Sequence, residues 1–422
     1  MKRSYFTYLI LLVVVGIVAL NVFSLLRKQQ SQKPITGGSI AYWGVNEHAP
    51  KNSGDASRGI PWITDVTKVS SGHDHFLIMS KDGTVYAVGS NTFGQLGSDV
   101  LNYQTDPVKA PFLEKAIDIA ANGHHSLAVD KDGNVWAWGL NLSSQLGDGA
   151  NDMKTGPKKV VGLEHVKGVA AGYRFSVALK EDGSVVGWGS HCDTSKSFDT
   201  QNVVRLFAST LVQSGGYADA SSTSNQAYNF LDDCQRERST GINTTAVKQI
   251  EGMTGITKLS AGFGHTLALK DDGTVRVLGC NKFGQVGNKS FENALTTETV
   301  ADLQNIVDVA AGYRHSLALD KDGNVWAWGY NNAGQLGDGS TETRTAPVKV
   351  PALQGVTSIA AGYDYSVAVV RDGRVMGWGS NASKQISSKN ISESKVPITL
   401  DMIDFAQSVA AGGTQVVVIT QR

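Results

Sequence analysis

The amino-acid sequence predicts an all-β fold: a seven-bladed β-propeller built from repeats of about 50 residues, preceded by one N-terminal transmembrane helix. Three observations lead to this prediction. A motif recurs with a fixed period, each repeat contains a hairpin pattern, and an incomplete repeat stands at each end of the repeated region. The 47 glycines and nine prolines among 422 residues agree with it, because they indicate many tight turns.

The repeat is clearest at residues 310–329, which read AAGYRHSLALDKDGNVWAWG. The glycine that ends its first strand recurs every 50 residues, with one gap of 90 residues and with Asn122 in one of the seven positions. The six glycines are Gly72, Gly172, Gly262, Gly312, Gly362 and Gly412. An Asp-Gly pair follows ten residues later in six of the repeats. Two independent markers therefore keep one register.

Each repeat has the alternation of side chains that is typical of β-strands. Residues 315–319 and 325–329 both alternate, and Asp322-Gly323 between them predicts a two-residue hairpin turn with positive φ angles. One strand before this hairpin and one after it bring the count to four strands per repeat. A four-stranded blade cannot bury both of its faces alone, so we expect the repeats to stack radially around an axis.

The two ends of the repeated region complete one blade together. Trp-Gly or an equivalent pair occurs seven times, but the first, Trp43-Gly44, lacks a preceding Ala-Gly strand. The last Ala-Ala-Gly, which ends at Gly412, lacks a following Trp-Gly strand. We therefore expect residues 38–44 to pair with residues 412–421 and to close a propeller that occupies residues 38–422. Such closure hides two sheet edges.

The N-terminal region has the pattern of a membrane anchor. Residues 5–26 are uncharged and rich in Leu, Val and Ile, and basic residues flank them on both sides. A run of 22 such residues is long enough to span a bilayer. We interpret residues 1–28 as an uncleaved anchor and residues 29–37 as a linker, with a cleaved signal peptide as the alternative. The expected location is the cell membrane, as a single-pass protein with the propeller outside the cytoplasm.

The charge balance argues against nucleic acid as a partner. Lys plus Arg and Asp plus Glu both number 38. Without the four basic residues of the predicted anchor, 34 basic residues face 38 acidic ones. The propeller therefore lacks the basic excess of a nucleic-acid-binding domain.

One repeat carries an insertion. Gly189 and Gly262 are 73 residues apart, against 33 residues between Gly329 and Gly362, so 40 extra residues lie within about residues 190–245. A loop of this length is either functional or a tolerated surface excursion. In an oxidising compartment its Cys192 and Cys234 could form a disulfide bond. The third cysteine, Cys280, is expected to be a small packing residue.

The linked motifs resemble the regulator of chromosome condensation repeat over about residues 38–421. They are Ala-Ala-Gly, His-Ser-Leu-Ala-Leu, Asp-Gly, Trp-Gly-x-Asn and Gly-Gln-Leu-Gly. The resemblance implies three functional precedents: a chromatin-bound guanine nucleotide exchange factor, a plant UV-B photoreceptor, and secreted bacterial propellers that inhibit β-lactamases. Against the first precedent, the N-terminal segment reads as a membrane anchor and the remaining body is mildly acidic. Against the second, no Trp occupies the turn where the photoreceptor carries its absorbing indoles. Bacterial-type membrane-anchored or secreted members are the most similar in setting.

We choose the candidate partner-binding residues from the turn after the Ala-Gly strand, because the seven equivalent turns form a ring on one face of the propeller. Aromatic residues and Arg dominate binding hot spots. The candidates are Tyr173, Arg174, Phe263, Tyr313, Arg314, Tyr363 and Asp364. The alternative is that the aromatic rings wedge between blades while the Arg side chains pair with carboxylates. A repeated His, at positions 75, 125, 265 and 315, is expected to make a structural hydrogen bond.

The sequence therefore predicts a non-catalytic scaffold, displayed at a membrane, that binds a protein partner of unknown identity. We predict no catalytic residue, metal site or cofactor, because no phosphate loop, nucleophile elbow or zinc spacing occurs. Two alternatives stay open. One is nucleotide exchange on a small GTPase, which requires a cytoplasmic propeller. The other is an enzyme that acts on envelope polymers through the central depression of the ring.

Overall fold

A computed structural model of the chain describes residues 39–44, 58–60, 62–98, 103–149, 154–190, 243–400, 403 and 405–420. These residues form 28 β-strands in seven four-stranded antiparallel sheets, and none of them is helical. The all-β, seven-bladed propeller is confirmed. The predicted membrane segment, residues 5–26, lies outside the described residues. Within the described part of the chain, no helix has the length and hydropathy of a membrane span.

The strands follow one another in the order expected of a repeat protein. In chain order they are β1 (Ile40–Trp43), β2 (Arg58–Ile60), β3 (Val66–Ser71), β4 (His75–Ser80), β5 (Val85–Gly89), β6 (Gln104–Lys109), β7 (Ala116–Asn122), β8 (His125–Asp130), β9 (Val135–Gly139), β10 (Lys154–Lys159), β11 (Val166–Ala171), β12 (Phe175–Lys180), β13 (Val185–Ser190), β14 (Asn243–Gln249), β15 (Ile256–Ala261), β16 (His265–Lys270), β17 (Val275–Gly279), β18 (Ala294–Thr299), β19 (Ile306–Ala311), β20 (His315–Asp320), β21 (Val325–Gly329), β22 (Arg344–Lys349), β23 (Val356–Ala361), β24 (Tyr365–Val370), β25 (Val375–Ser380), β26 (Glu393–Thr399), β27 (Ala406–Ala411) and β28 (Val416–Thr420).

Each sheet is one blade, and its strands pair in sequence order. Blade 1 is β3 to β6, blade 2 is β7 to β10, and the series continues to blade 6, which is β23 to β26. Blade 7 combines β27 and β28 with β1 and β2. The first strands of the seven blades line a central cavity of about 260 Å³. The insertion falls between β13 and β14, and residues 191–242 lie outside the described residues.

The hairpin turn differs from the predicted two-residue form. In blade 5 the Gly323 amide donates to the Asp320 carbonyl at 3.0 Å, and the Asp320 amide donates to the Asn324 carbonyl at 3.0 Å. The loop therefore has three residues, 321–323, and within it Gly323 alone has a positive φ, 80°. The prediction of a two-residue turn is wrong, because such a turn needs positive φ angles at both Asp322 and Gly323. In this loop only the glycine has one.

The blades hold together through apolar layers. Seven clusters of buried side chains each join two neighbouring blades. Between blades 5 and 6, for example, Leu317 and Val325 pack with Ala368 and Trp378. Radial stacking thus buries both faces of every sheet, as the alternation of residues predicts.

The closure of the ring is confirmed. Strand β1 pairs antiparallel with β28, from Ile40 opposite Ile419 to Trp43 opposite Val416. The Thr420 hydroxyl also donates to the Ser39 carbonyl at 2.8 Å. The predicted pairing of residues 38–44 with residues 412–421 is therefore present in the residues that the structure describes.

The two ends of the propeller differ in the loops that they carry. The first strand of each blade runs toward one end of the propeller, which we name the ring face. In blade 5 the loop at this end holds Tyr313. The ring face also carries the loops between third and fourth strands, because the Tyr330 amide donates to the Arg314 carbonyl at 2.9 Å. The opposite end, the turn face, carries the hairpin turns and the loops that lead into the first strands. There the Val356 amide donates to the Gly323 carbonyl at 3.2 Å.

Candidate protein-binding face

The candidate residues stand on loops that are bonded to one another around the axis. The Tyr313 amide donates to the Gly362 carbonyl of the next blade at 3.1 Å. Four other blades make the same bond, from residues 73, 173, 263 and 413. Five of the seven loops are thus hydrogen-bonded to the next blade, which fixes their backbone on the ring face.

Six aromatic side chains on these loops form a closed circle, which we name the aromatic circle. The ring centroids are 4.9 Å apart for Tyr173 and Phe263, 4.3 Å for Phe263 and Tyr313, 4.5 Å for Tyr313 and Tyr363, 5.0 Å for Tyr363 and His73, 5.1 Å for His73 and His124, and 6.1 Å for His124 and Tyr173. All six side chains are half-buried. The four predicted aromatic residues therefore meet around the axis, where rings of neighbouring blades contact one another.

Two glycines complete the positions around the circle. A Cβ atom on Gly123 would lie 2.6 Å from the Tyr173 carbonyl oxygen. A Cβ atom on Gly413 would lie 2.4 Å from the His73 carbonyl oxygen. No other residue fits there without moving the neighbouring loop. Close packing of the loops thus limits two of the seven positions to glycine.

The central cavity reaches the aromatic circle from below. Phe263, Tyr313 and Tyr363 contribute to its lining. The Tyr363 hydroxyl is buried, and it lies near Tyr173 without meeting hydrogen-bond geometry with any described residue. Burial raises the pKa of Tyr363 well above its ordinary value, and Tyr173 and Tyr313 add to the shift.

Arg314 lies over three aromatic rings beside the circle. Its guanidinium carbon is 4.6 Å from the centroid of Phe283, 4.8 Å from that of Tyr313 and 5.7 Å from that of Tyr330. Burial lowers the pKa of Arg314, and the negative charge of Asp364 opposes this effect. The result is a partly desolvated cation held in a fixed position by cation–π contacts.

Two carboxylates next to the aromatic circle, Asp74 and Asp364, have opposite pKa shifts. Burial raises the pKa of Asp364, although Arg314 opposes the shift. Burial would also raise the pKa of Asp74, but a hydrogen bond with His124 and the charges of the nearby histidines lower it far below its usual range. Each carboxylate accepts a hydrogen bond at 3.3 Å from a glutamine at the same repeat position, Gln335 or Gln95.

The structure places all seven predicted residues on the ring face. Arg174 is half-buried there, and its carbonyl accepts from the Ser190 amide, where the insertion begins. Sequence reasoning missed four contributors. They are His73, His124, Phe283 and Tyr330. His73 could have been found, because it occupies the position of Tyr313 in blade 1.

The repeated histidines are structural, as predicted. The Ser366 hydroxyl donates to the Gln335 carbonyl at 2.8 Å, so its 2.9 Å contact with His315 requires a hydrogen on Nε2 of the imidazole. The Trp378 indole donates to the same carbonyl at 2.9 Å. Three further His–Ser contacts repeat the pattern between neighbouring blades: His75–Ser126, His125–Ser176 and His265–Ser316. Burial lowers the pKa of His315 to about 3, so the imidazole stays neutral.

The cysteines differ from the prediction. Cys280 is disulfide-bonded, so the packing role expected for it is wrong. Cys192 and Cys234, the two other cysteines of the chain, lie outside the described residues. Among the described residues, no group of three or more His, Cys, Asp or Glu side chains could hold a metal ion.

Comparison with known families identifies the repeat. Two family models, both described as "Regulator of chromosome condensation (RCC1) repeat", match the chain. One matches residues 82–129, 132–179, 272–319 and 322–369. The other matches residues 66–95, 116–145, 166–193, 256–285, 306–335 and 356–385. The chain belongs to the RCC1 repeat family. No curated protein matches it by sequence.

Solved structures with RCC1-like propellers are similar over almost the whole chain. Prp20p from Saccharomyces cerevisiae, studied for its binding to Gsp1p and histones, has a TM-score of 0.71 and 20% identity and covers 94% of both chains. Yeast Prp20 bound to Kap60 has a TM-score of 0.71 and 20% identity, with 94% of this chain and 92% of that one covered. Human WBSCR16 has a TM-score of 0.70 and 18% identity, with 91% and 99% covered. At these identities the likeness shows the fold alone.

Proposed function

We propose that this RCC1-repeat protein is a non-catalytic scaffold whose ring face binds a protein partner. The aromatic circle together with Arg314 carries the proposal. Half-buried aromatic and Arg side chains, fixed in place before a partner arrives, are the residues that supply most binding energy at protein interfaces. The backbone bonds between neighbouring loops reduce the entropy that such a face loses on binding.

An enzymatic role has less support. Asp74 and Asp364 have pKa shifts in opposite directions, which is a pattern of acid–base pairs. However, each carboxylate accepts a hydrogen bond from the equivalent glutamine of its own or the preceding repeat. The packing of the repeat therefore accounts for both carboxylates without a substrate.

Guanine nucleotide exchange is the second candidate function. It is favoured by the fold that this chain shares with Prp20p and by the binding of Prp20p to Gsp1p. Both functions require a protein partner, so the identity of the partner separates them. Exchange activity would also require the propeller to face the cytoplasm.

We further propose that residues 5–26 tether the propeller to a membrane, with the ring outside the cytoplasm. The support is the uncharged 22-residue run and its basic flanks. Protease added to intact cells should then digest the propeller. Complete protection, with digestion only after lysis, would contradict this orientation and would favour exchange on a cytoplasmic GTPase.

Site-specific photo-crosslinking tests the binding face. A benzophenone amino acid at Tyr330 on the ring face should give a discrete crosslinked partner in cells. The same amino acid at Val161, an exposed residue of the turn face, is the matched control and should not. Nucleotide release from the captured protein, if it is a GTPase, decides between scaffold and exchange factor. Equal crosslinking from both positions, or a yield that Arg314→Ala leaves unchanged, would refute the proposal.

A further inference from the structure

The turn face of blade 7 is the place where the N-terminal region joins the propeller. Strand β1 begins after Ser39, whose carbonyl accepts from both the amide and the hydroxyl of Thr420. Thr420 ends β28, which runs from the ring face to the turn face. Twelve residues separate Ser39 from the uncharged run at residues 5–26. Twelve residues span about 40 Å at most, so the proposed tether keeps this part of the turn face near the membrane.

Two large aromatic side chains flank blade 7 on the same face. Trp62 is 58% exposed and precedes the first strand of blade 1, and Phe405 is 55% exposed and precedes the first strand of blade 7. Trp62 packs edge-on against Tyr86, with the ring centroids 6.2 Å apart. Phe405 lies against the hairpin turn of blade 6, at Gly373. Exposed aromatic residues beside a membrane segment are typical of the bilayer interface.

The backbone conformation of Phe405 is a second observation that favours contact of its ring with an apolar surface. Its φ is 62°, in the left-handed region that bulky residues rarely adopt. The equivalent positions with positive φ in other blades hold Gly255, Gly355, Asn305, Asp65 and His165, which are residue types that adopt this region more readily than Phe. An aromatic residue in this conformation, with its ring in solvent, is unfavourable for an isolated propeller. Contact with an apolar surface would offset the cost.

The charges of the turn face restrict what this surface can contact. Most of its hairpin turns and entry loops carry Asp or Glu, among them Asp82, Asp132, Asp182 and Asp272. The pKa of Asp272 is lowered by hydrogen bonds from Lys270 and Thr274, so this carboxylate stays ionised. Four of the six Asp-Gly turns also carry Lys or Arg, so the charges of the turns are mixed, with no basic excess to attract anionic lipids. Apolar contact must then supply the binding.

We infer that the blade-7 part of the turn face rests on the lipid bilayer through Trp62 and Phe405. The inference depends on the membrane tether proposed above and not on the partner of the ring face. Its consequence is a defined orientation, in which the aromatic circle points away from the membrane.

Bromolipid quenching of tryptophan fluorescence tests this orientation in the full chain. The protein is reconstituted into vesicles of phosphatidylcholine, with or without bromine on the acyl chains. Every variant carries Trp62→Phe, and a new tryptophan is added by Phe405→Trp or by Phe291→Trp. Phe291 is 56% exposed in a loop of the ring face, so it is a matched control for exposure. The wild type and Trp62→Phe alone are measured beside them.

The brominated lipid should remove at least half of the emission that Phe405→Trp adds and almost none of that added by Phe291→Trp. The wild type should likewise lose more emission than Trp62→Phe alone, which tests the contact without a change at residue 405. Salt should not alter the quenching. Equal quenching at both new positions, or none at either, would overturn the inference. If the protein does not float with the vesicles, the proposed membrane tether is wrong and the inference falls with it. The proposal that the ring face binds a protein partner would be unaffected.

Discussion

Acidification should destabilise this propeller, because four buried histidines must stay neutral in the folded state. Burial lowers the pKa of His75 to about 4 and the pKa values of His125, His265 and His315 to about 3, against 6.5 in an unfolded chain. The unfolded chain therefore binds more protons than the folded one below pH 6.5. The contribution to stability is complete above this pH and is lost as the pH falls toward the folded pKa values.

The size of the effect follows from the shifts. One pKa unit corresponds to about 1.4 kcal/mol, and about pH 5 lies roughly 1.5 units below the unfolded pKa. Each histidine then lowers the free energy of unfolding by about 2 kcal/mol at that pH, and the four together lower it by about 8 kcal/mol as an upper bound. A loss of this order is comparable with the whole stability of an ordinary domain.

Chemical denaturation at about pH 7, 6 and 5 measures the effect. The matched variant is His315→Gln, because blade 7 already carries Gln415 at the equivalent position, where its amide donates to the His75 carbonyl at 2.7 Å. The variant should reduce the dependence on pH by about a quarter, or about 1.4 kcal/mol per pH unit. A free energy of unfolding that does not change between about pH 7 and 5 would refute the reasoning, as would an unchanged slope in the variant.

Two further changes test the ring face and the closure. Gly413→Ala places a Cβ atom 2.4 Å from the His73 carbonyl oxygen and should lower the melting temperature and alter the near-ultraviolet circular dichroism of the aromatic circle. Gly156→Ala, with no atom within 4 Å of the added Cβ, should not. Thr420→Val removes the two hydrogen bonds between the Thr420 hydroxyl and Ser39, and it leaves the bond from the Thr420 amide to the Ser39 carbonyl. The loss should cost about 1–3 kcal/mol by denaturant unfolding; an unchanged midpoint would show that the hydroxyl bonds do not support closure.

Much of the fold could be predicted because every blade packs against its neighbours through similar residue types at equivalent positions. The spacing of the glycines sets the number of blades, and the unmatched ends at Trp43 and Gly412 indicate which blade is shared. The turn was less predictable, because Asp-Gly is compatible with both a two-residue and a three-residue loop. Only the hydrogen bonds of Gly323 and Asn324 distinguish them.

Departures from the repeat are explained by the neighbouring blade. Val88 and Leu278 replace the tryptophan of the third strand in blades 1 and 4. In the other blades this indole donates to a glutamine carbonyl of the preceding blade, as Trp328 does to Gln285 at 2.8 Å. In the repeats that supply this acceptor, a glutamine stands six residues after the glycine of the Trp-Gly pair. In the repeats that precede blades 1 and 4 the same position holds Pro50 and Ser195. The sequence therefore contains a signal for the missing tryptophan in both places.

The arrangement of the ring face was predicted only in part. Its position followed from the repeat, since equivalent turns must meet on one face of a ring. The contact between His73 and His124 did not follow, because Gly123 occupies the aromatic position in blade 2 and His124 reaches the circle from the next position. The cation–π contact of Arg314 with Phe283 joins different blades, which periodicity alone does not reveal.

The affinity of a purified, crosslink-identified partner for ring-face variants tests the central claim most directly. Tyr313→Ala and Arg314→Ala should each weaken binding by about 30-fold, as expected for residues at the centre of an interface. Arg371→Ala, which removes an exposed arginine from the turn face, should leave the affinity unchanged. Equal affinities for all three variants and the wild type, with the fold intact, would contradict a binding role for the ring face.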